Sequence, residues 1–139
     1  MNTLIKTAIC SATFLASGLA GAADLTIQID DVKAAAGTVM VAVFNSEGTF
    51  LKAPAKTGGA PATTNGTTVV IRDLPEGDYA FAVYHDANGN GKMDKNVLGI
   101  PTEDYAFSNN ALGKMGPPKY DSARFALPAA GASLRVTLK

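Results

Sequence analysis

Four oxygen-bearing side chains stand at fixed spacing in one short stretch, Asp86-Ala87-Asn88-Gly89-Asn90-Gly91-Lys92-Met93-Asp94. Counting from Asp86, oxygens fall at positions 1, 3, 5 and 9, and a glycine falls at 6. That is most of the pattern of an EF-hand-type calcium loop. Asp86, Asn88 and Asn90 would supply side-chain oxygens, Lys92 its backbone carbonyl, and Asp94 a carboxylate, directly or through water. Calcium takes six to eight oxygens, so these groups leave the shell short. The bidentate Glu expected at position 12 is replaced by Val97. Glu103 or Asp104 would have to fold back to complete the shell, or water would. Two loop carboxylates only just neutralise a divalent ion, so the expected affinity is low, about 10⁻⁴–10⁻³ M as in extracellular modules. Magnesium fits less well, because it keeps its waters and takes fewer protein ligands. The competing reading is a bare turn, since Asn88-Gly89 and Asn90-Gly91 are both turn dipeptides. A bare turn needs only one of them, and it does not need acids at both ends.

Other chemistry is thinner. His85 is the only histidine and Cys10 the only cysteine. One histidine without cysteines makes no typical zinc site. A hydrolase would have to use His85 with Asp86, with Ser108 as nucleophile, and no G-x-S-x-G elbow is present. A strand-end histidine with no catalytic role is the preferred reading. Tyr105 and Phe107 are the best candidates for stacking on a sugar, but aromatic residues at alternate strand positions more often fill a core.

The elements around the loop read as strands. Leu25, Ile27 and Ile29 alternate with Thr26 and Gln28, a half-buried strand. Thr38 to Phe44 is apolar on both faces and β-branched, as a central strand is. Thr67–Arg72 and Asp78–His85 follow, joined by the turn Asp73-Leu74-Pro75-Glu76-Gly77. Lys52 to Gly66 has loop composition, with room for a short edge strand of unassigned position. Lys95 to Asp121 shows no period, but it carries Val97, Leu98, Ile100, Tyr105, Phe107 and Leu112. It is therefore expected to be an ordered excursion packing its aromatic residues onto the sheet. Ser122–Ala126 and Ser133–Leu138 close the chain as strands, and Ala34–Ala36 offers at most one helical turn. Short strands between Gly/Pro turns predict an all-β, immunoglobulin-like or transthyretin-like β-sandwich, with an open-ended barrel as alternative.

Composition bounds the setting. The 139 residues fit a single domain. Lys6, the apolar Thr7–Leu19 run and the small residues 20–23 predict a secretory signal peptide over residues 1–23, with the sandwich domain at 24–139. The run is short for a membrane span, and the mature chain has no transmembrane segment. Residues Thr7-Ala8-Ile9 before Cys10 do not form a lipoprotein box. The mature chain is therefore expected to be periplasmic or secreted, without disulfides or thiol chemistry. Losing Lys6 from 12 basic residues leaves 11 against 12 acidic, a net charge of −1. With no basic block, nucleic acid and anionic membrane surfaces are poor partners.

Leu74-Pro75-Glu76-Gly77-Asp78-Tyr79 resembles the strand entry of many secreted sandwich modules. Tyr84 to Asp94, followed by Leu98–Glu103 and Tyr105–Ala111, is more specific. Together these stretches resemble the secreted bacterial family catalogued as domain of unknown function 2141, over nearly the whole mature chain. The resemblance implies a bacterial envelope protein with a β-sandwich, and it transfers no catalytic residue. The preferred expectation is a non-enzymatic exported module with a low-affinity calcium loop, acting in binding or envelope structure with an unknown envelope or extracellular ligand; the alternative is a cation-assisted hydrolase using His85 and Asp86.

Overall fold

The computed structural model describes residues 21–139. Residues 1–20, which carry most of the expected signal peptide, lie outside the described part. The strands are β1 Ala23–Asp30, β2 Thr38–Phe44, β3 Lys56–Pro61, β4 Thr67–Leu74, β5 Gly77–Asp86, β6 Tyr105–Phe107, β7 Phe125–Leu127 and β8 Ala132–Thr137. Two sheets form an all-β sandwich: β4-β1-β8, and β3-β2-β5-β6 with β7 also on β5. Among the described residues, helix is confined to one turn at Ser108–Asn110 and to α1 at Tyr120–Ala123. None of it is long and apolar enough to cross a membrane.

The alternation seen in sequence sets the inner faces. Leu25, Ile27 and Ile29 of β1 are fully buried and meet Val39, Val41 and Val43 of β2 and Phe81 and Val83 of β5 in one core between the sheets. β2 lies between β3 and β5, antiparallel to both. β1 pairs antiparallel with β4 and parallel with β8. At one side the sheets approach where Gly58 of β3 lies against Ile71 of β4; a Cβ there would come within 2.6 Å of the Ile71 side chain. At the other side Tyr105 and Lys139 exchange backbone hydrogen bonds, each at 3.1 Å. The turn before β5 is locked by the Tyr79 hydroxyl, which donates to the Pro75 carbonyl at 2.6 Å.

β5 is covered on both faces. Its outward Ala80 belongs to a second cluster with Phe44, Phe50, Phe107, Tyr120 and Ala123. Phe50 stands edge-on to Phe44 and Tyr120, with ring centres 5.4 and 5.8 Å apart. The excursion is thus ordered, with Phe107 in this cluster and Tyr105 packed beside it at 5.7 Å. That places Phe107 in a core rather than on an open stacking platform.

Several local expectations change. Ala34–Ala36 forms no helical turn. The Lys52–Gly66 loop contains β3, which exists through its pairing with β2 despite Gly58 and Gly59. Ser122–Ala126 is not one strand: its first part finishes α1, and pairing with β5 begins only at Phe125. Val97, Leu98, Ile100 and Leu112 do not pack down with the aromatic residues but stand exposed.

Candidate metal centre

Asp86 is the last residue of β5 and faces Thr38 across the ladder. Although it is 2% exposed, both carboxylate oxygens are satisfied. Oδ1 accepts the Asn90 N–H at 3.2 Å and Oδ2 the Gly91 N–H at 2.8 Å. Gly91 has φ +75°, which lets its amide turn back toward Asp86. Asn88 Oδ1 also accepts the Asn90 N–H at 3.2 Å, and Asn90 Oδ1 accepts the Lys92 N–H at 2.9 Å. The two side-chain amides then donate to Asp94: Asn88 to Oδ2, and Asn90 to Oδ1 at 2.7 Å. Asp86, Asn88, Asn90 and Asp94 therefore belong to one hydrogen-bonded cluster, with Lys92 joined to it through its backbone.

The excursion returns to this cluster through Glu103. Its Oε2 accepts the Asp94 N–H at 3.1 Å, while its Oε1 is buried without a hydrogen-bond partner among the described residues. Asp104 is directed elsewhere: its Oδ1 meets the Lys33 ammonium at 2.9 Å, and its carbonyl accepts the His85 N–H at 2.9 Å. The sequence left both acids open as the returning ligand; the geometry brings Glu103 to the loop and pairs Asp104 with Lys33.

The loop is braced from three directions. From the β1–β2 connection, Ala36 offers its carbonyl to His85 Nε2 at 2.7 Å. A carbonyl only accepts, so this ring nitrogen carries the proton. Gly37, at φ +69°, presses its Cα side against the Asp86 carbonyl. From the outer sheet face, the Tyr84 hydroxyl donates to the Gly91 carbonyl at 3.2 Å. Burial raises the Tyr84 phenol above its ordinary value, and the nearby Asp86 and Glu103 carboxylates raise it further, so it stays a donor. From the excursion, the Thr102 N–H donates to the Asp94 carbonyl at 2.9 Å. Of these supports, only the β5 strand and its histidine were readable in sequence. Gly37 and Ala36 carry no local signal for a partner 49 residues away.

The residues of the hydrolase reading are not assembled. His85 is 5% exposed and its Nε2 is held by Ala36. Ser108 is fully buried; its Oγ donates to the Ala123 carbonyl and accepts the Phe81 N–H at 3.0 Å. Ser108 is a buried tie between β5 and α1, its Oγ committed to backbone groups.

The cluster is poor in charge for a metal site. Among the described residues, no group of three or more His, Cys, Asp or Glu is gathered as a metal site. Its three carboxylates are separated by two amides, whose NH₂ groups face Asp94. Each amide oxygen accepts one N–H and retains a second lone pair. A hard cation would be met by these oxygens once the NH₂ groups turned away from Asp94.

Residues 27–135 match the protein family described as "Uncharacterized protein conserved in bacteria (DUF2141)". No curated protein and no solved structure matches the chain.

Proposed function

The chain belongs to that bacterial family, and we propose that it is an exported, non-enzymatic binding module whose Asp86–Asp94 loop holds a calcium ion. The ligands are the side chains of Asp86, Asn88, Asn90 and Asp94, the Lys92 carbonyl and Glu103. One observation carries this reading: Glu103 Oε1 is buried beside the loop with no hydrogen-bond partner among the described residues. A buried, unpaired carboxylate oxygen is costly. A cation would remove that cost, and the Glu103 carboxylate would supply the sixth and seventh oxygens that calcium takes. Because Glu103 comes from beyond the loop, the ion would also tie the excursion to the end of β5.

Calorimetric titration of the purified domain with calcium tests the reading. Heat of binding with a Kd of about 10⁻⁴–10⁻³ M is expected. A hundredfold excess over Kd stabilises the folded state by about 2.7 kcal/mol. For a domain of this size the melting temperature should rise by on the order of 10 °C. Magnesium should give less. Glu103→Gln should weaken binding, and Asp86→Ala with Asp94→Ala should abolish it. Identical melting curves in calcium and in chelator would leave the loop as a turn.

Export carries its own expected outcome. Ala23 is 2% exposed and faces Leu74 across the β1–β4 ladder, whereas Gly21 and Ala22 are exposed. A cut after Ala23 would remove a buried side chain; a cut after Ala22 keeps β1 whole. The exported protein should therefore begin at Ala23, the earlier of the two starts, Ala23 and Asp24, that the small residues over 20–23 allow. Intact mass of the periplasmic or secreted material checks this, and an N-terminus at Met1 on that material would overturn the removable signal peptide.

A further inference from the structure

The chain from Asp94 to Glu103 is a hairpin whose base is made of candidate calcium ligands and whose tip is apolar. Asp94 and Thr102 close the base, and Lys95 bridges Pro101 above it. The tip is a tight turn: the Gly99 N–H donates to the Asn96 carbonyl at 2.9 Å, and Gly99 takes φ +77°. Asn at the first position and Gly at the fourth suit a type I turn followed by a left-handed residue. The two central positions are Val97 and Leu98. Val97 is 102% exposed, Leu98 79% and Ile100 55%. Three branched aliphatic side chains together at the tip of the hairpin thus stay mostly uncovered by the described fold. A scattered exposed leucine calls for no explanation; a cluster raised on a braced hairpin does.

The tip is suited to leaving water. Asn96 Oδ1 accepts the N–H groups of Leu98 and Ile100, at 2.9 and 3.0 Å. Asn96 and Ile100 pair through N–H and carbonyl at 2.9 Å. The N–H groups of Asn96, Leu98, Gly99 and Ile100 thus have acceptors inside the hairpin, which lowers the cost of carrying its backbone into an apolar phase. Lys92 and Lys95 are exposed and flank the hairpin base, and neither forms an ion pair with a described residue. Against these two lysines stand the carboxylates of Asp86, Asp94 and Glu103, since Asp104 is occupied by Lys33. The face carries one excess negative charge, and one bound divalent ion turns that into one excess positive charge.

We propose that the Val97–Ile100 tip docks into an anionic phospholipid bilayer when the loop beneath it holds calcium. This rests on the calcium reading for its control, and on the exposed tip for its contact. The apolar side chains enter the interface, Lys92 and Lys95 meet the headgroup phosphates, and the ion removes the carboxylate repulsion that opposes approach. The absence of a basic block in the sequence bears on electrostatic binding by lysines alone. It does not bear on a tip that adds apolar contact and a metal charge.

The test is co-sedimentation of the mature protein with vesicles of phosphatidylglycerol and phosphatidylcholine, in calcium and in chelator. Binding should be strong in calcium with anionic vesicles, and weak in chelator or with phosphatidylcholine alone. Val97→Ser, Leu98→Ser and Ile100→Ser together should lower partitioning by about tenfold or more, the scale of losing the burial of one such side chain. These positions are exposed, so the variant should keep the wild-type melting temperature and its shift with calcium. Calcium stabilisation without vesicle binding would overturn the docking and leave the calcium reading intact. Vesicle binding of equal strength in calcium and chelator would overturn the control by the ion; calorimetry then reports separately on calcium. Wild-type self-association that the tip variant abolishes, with no vesicle binding, would overturn the bilayer in favour of a second copy of the chain.

Discussion

Phe50→Ala is expected to lower the free energy of unfolding by about 3–5 kcal/mol, the range for emptying a buried Phe site. Phe50 follows β2 on a turn in which its N–H donates to the Ser46 carbonyl at 3.1 Å. It is 8% exposed and fills the space between Phe44 of β2 and Phe107 and Tyr120 of the excursion. Alanine would leave three aromatic rings without their shared edge-to-face partner, and rings on a twisted sheet cannot close such a gap without backbone movement. The effect should reach the loop, because Phe107 and Glu103 lie on the same short segment. Chemical unfolding should show the lost stability, and calcium titration at low temperature should show weakened binding. Leu51→Ala is the neighbouring control. Leu51 is 39% exposed, so its change should stay within about 0.5 kcal/mol. Equal costs for the two variants would mean that the outer cluster does not hold the excursion to the sheet.

Gly37→Ala should cost about 2–5 kcal/mol, from left-handed strain and overpacking together. At φ +69° an L side chain is already strained. The added Cβ would also lie 2.0 Å from the Asp86 carbonyl oxygen and 2.9 Å from the Ala87 Cα. Both are backbone, so relief requires the end of β5 to move, and Asp86 moves with it. Lost stability should therefore be accompanied by lost calcium affinity, measured well below the melting temperature of the variant. Gly89→Ala separates the two causes. Gly89 has φ +71° with open space around its Cβ position, so it should carry the strain alone, about 1–2 kcal/mol. If Gly37→Ala costs no more than Gly89→Ala, the β1–β2 connection does not press on the loop as described.

The sequence determined what depends on neighbours a few residues apart. Leu25, Ile27 and Ile29 alternate because one face of β1 is buried. Thr38–Phe44 is apolar on both sides because β2 has the core on one face and the outer cluster beginning at Phe44 on the other. The loop from Asp86 to Asp94 stood out because its oxygens and glycines are local, and its backbone closes on its own side chains. Even the Asn96–Gly99 turn is written in its residue types.

The tertiary structure decided what depends on distant partners. β3 has two glycines at its centre and little strand propensity, so it needed β2 beside it, with Ile71 in the room Gly58 leaves and Met40 in the room Gly59 leaves. Ser122–Ala126 has strand composition, yet Tyr120 and Ala123 are drawn into the outer cluster and hold the first half as a helical turn. Glu103 and Asp104 are adjacent acids with equal standing in sequence. Lys33, brought over by the β1–β2 connection, takes Asp104, and Glu103 remains to face the loop. Apolar residue type likewise does not say which side chain is buried. Tyr105 and Phe107 pair along the free edge of β5 and pack inward, while Val97, Leu98 and Ile100 are carried outward by a hairpin whose hydrogen bonds close upon themselves. Side chains go where the backbone ladder can extend, and that is settled by which strand edge is free, a property of the assembled sheets rather than of any one segment.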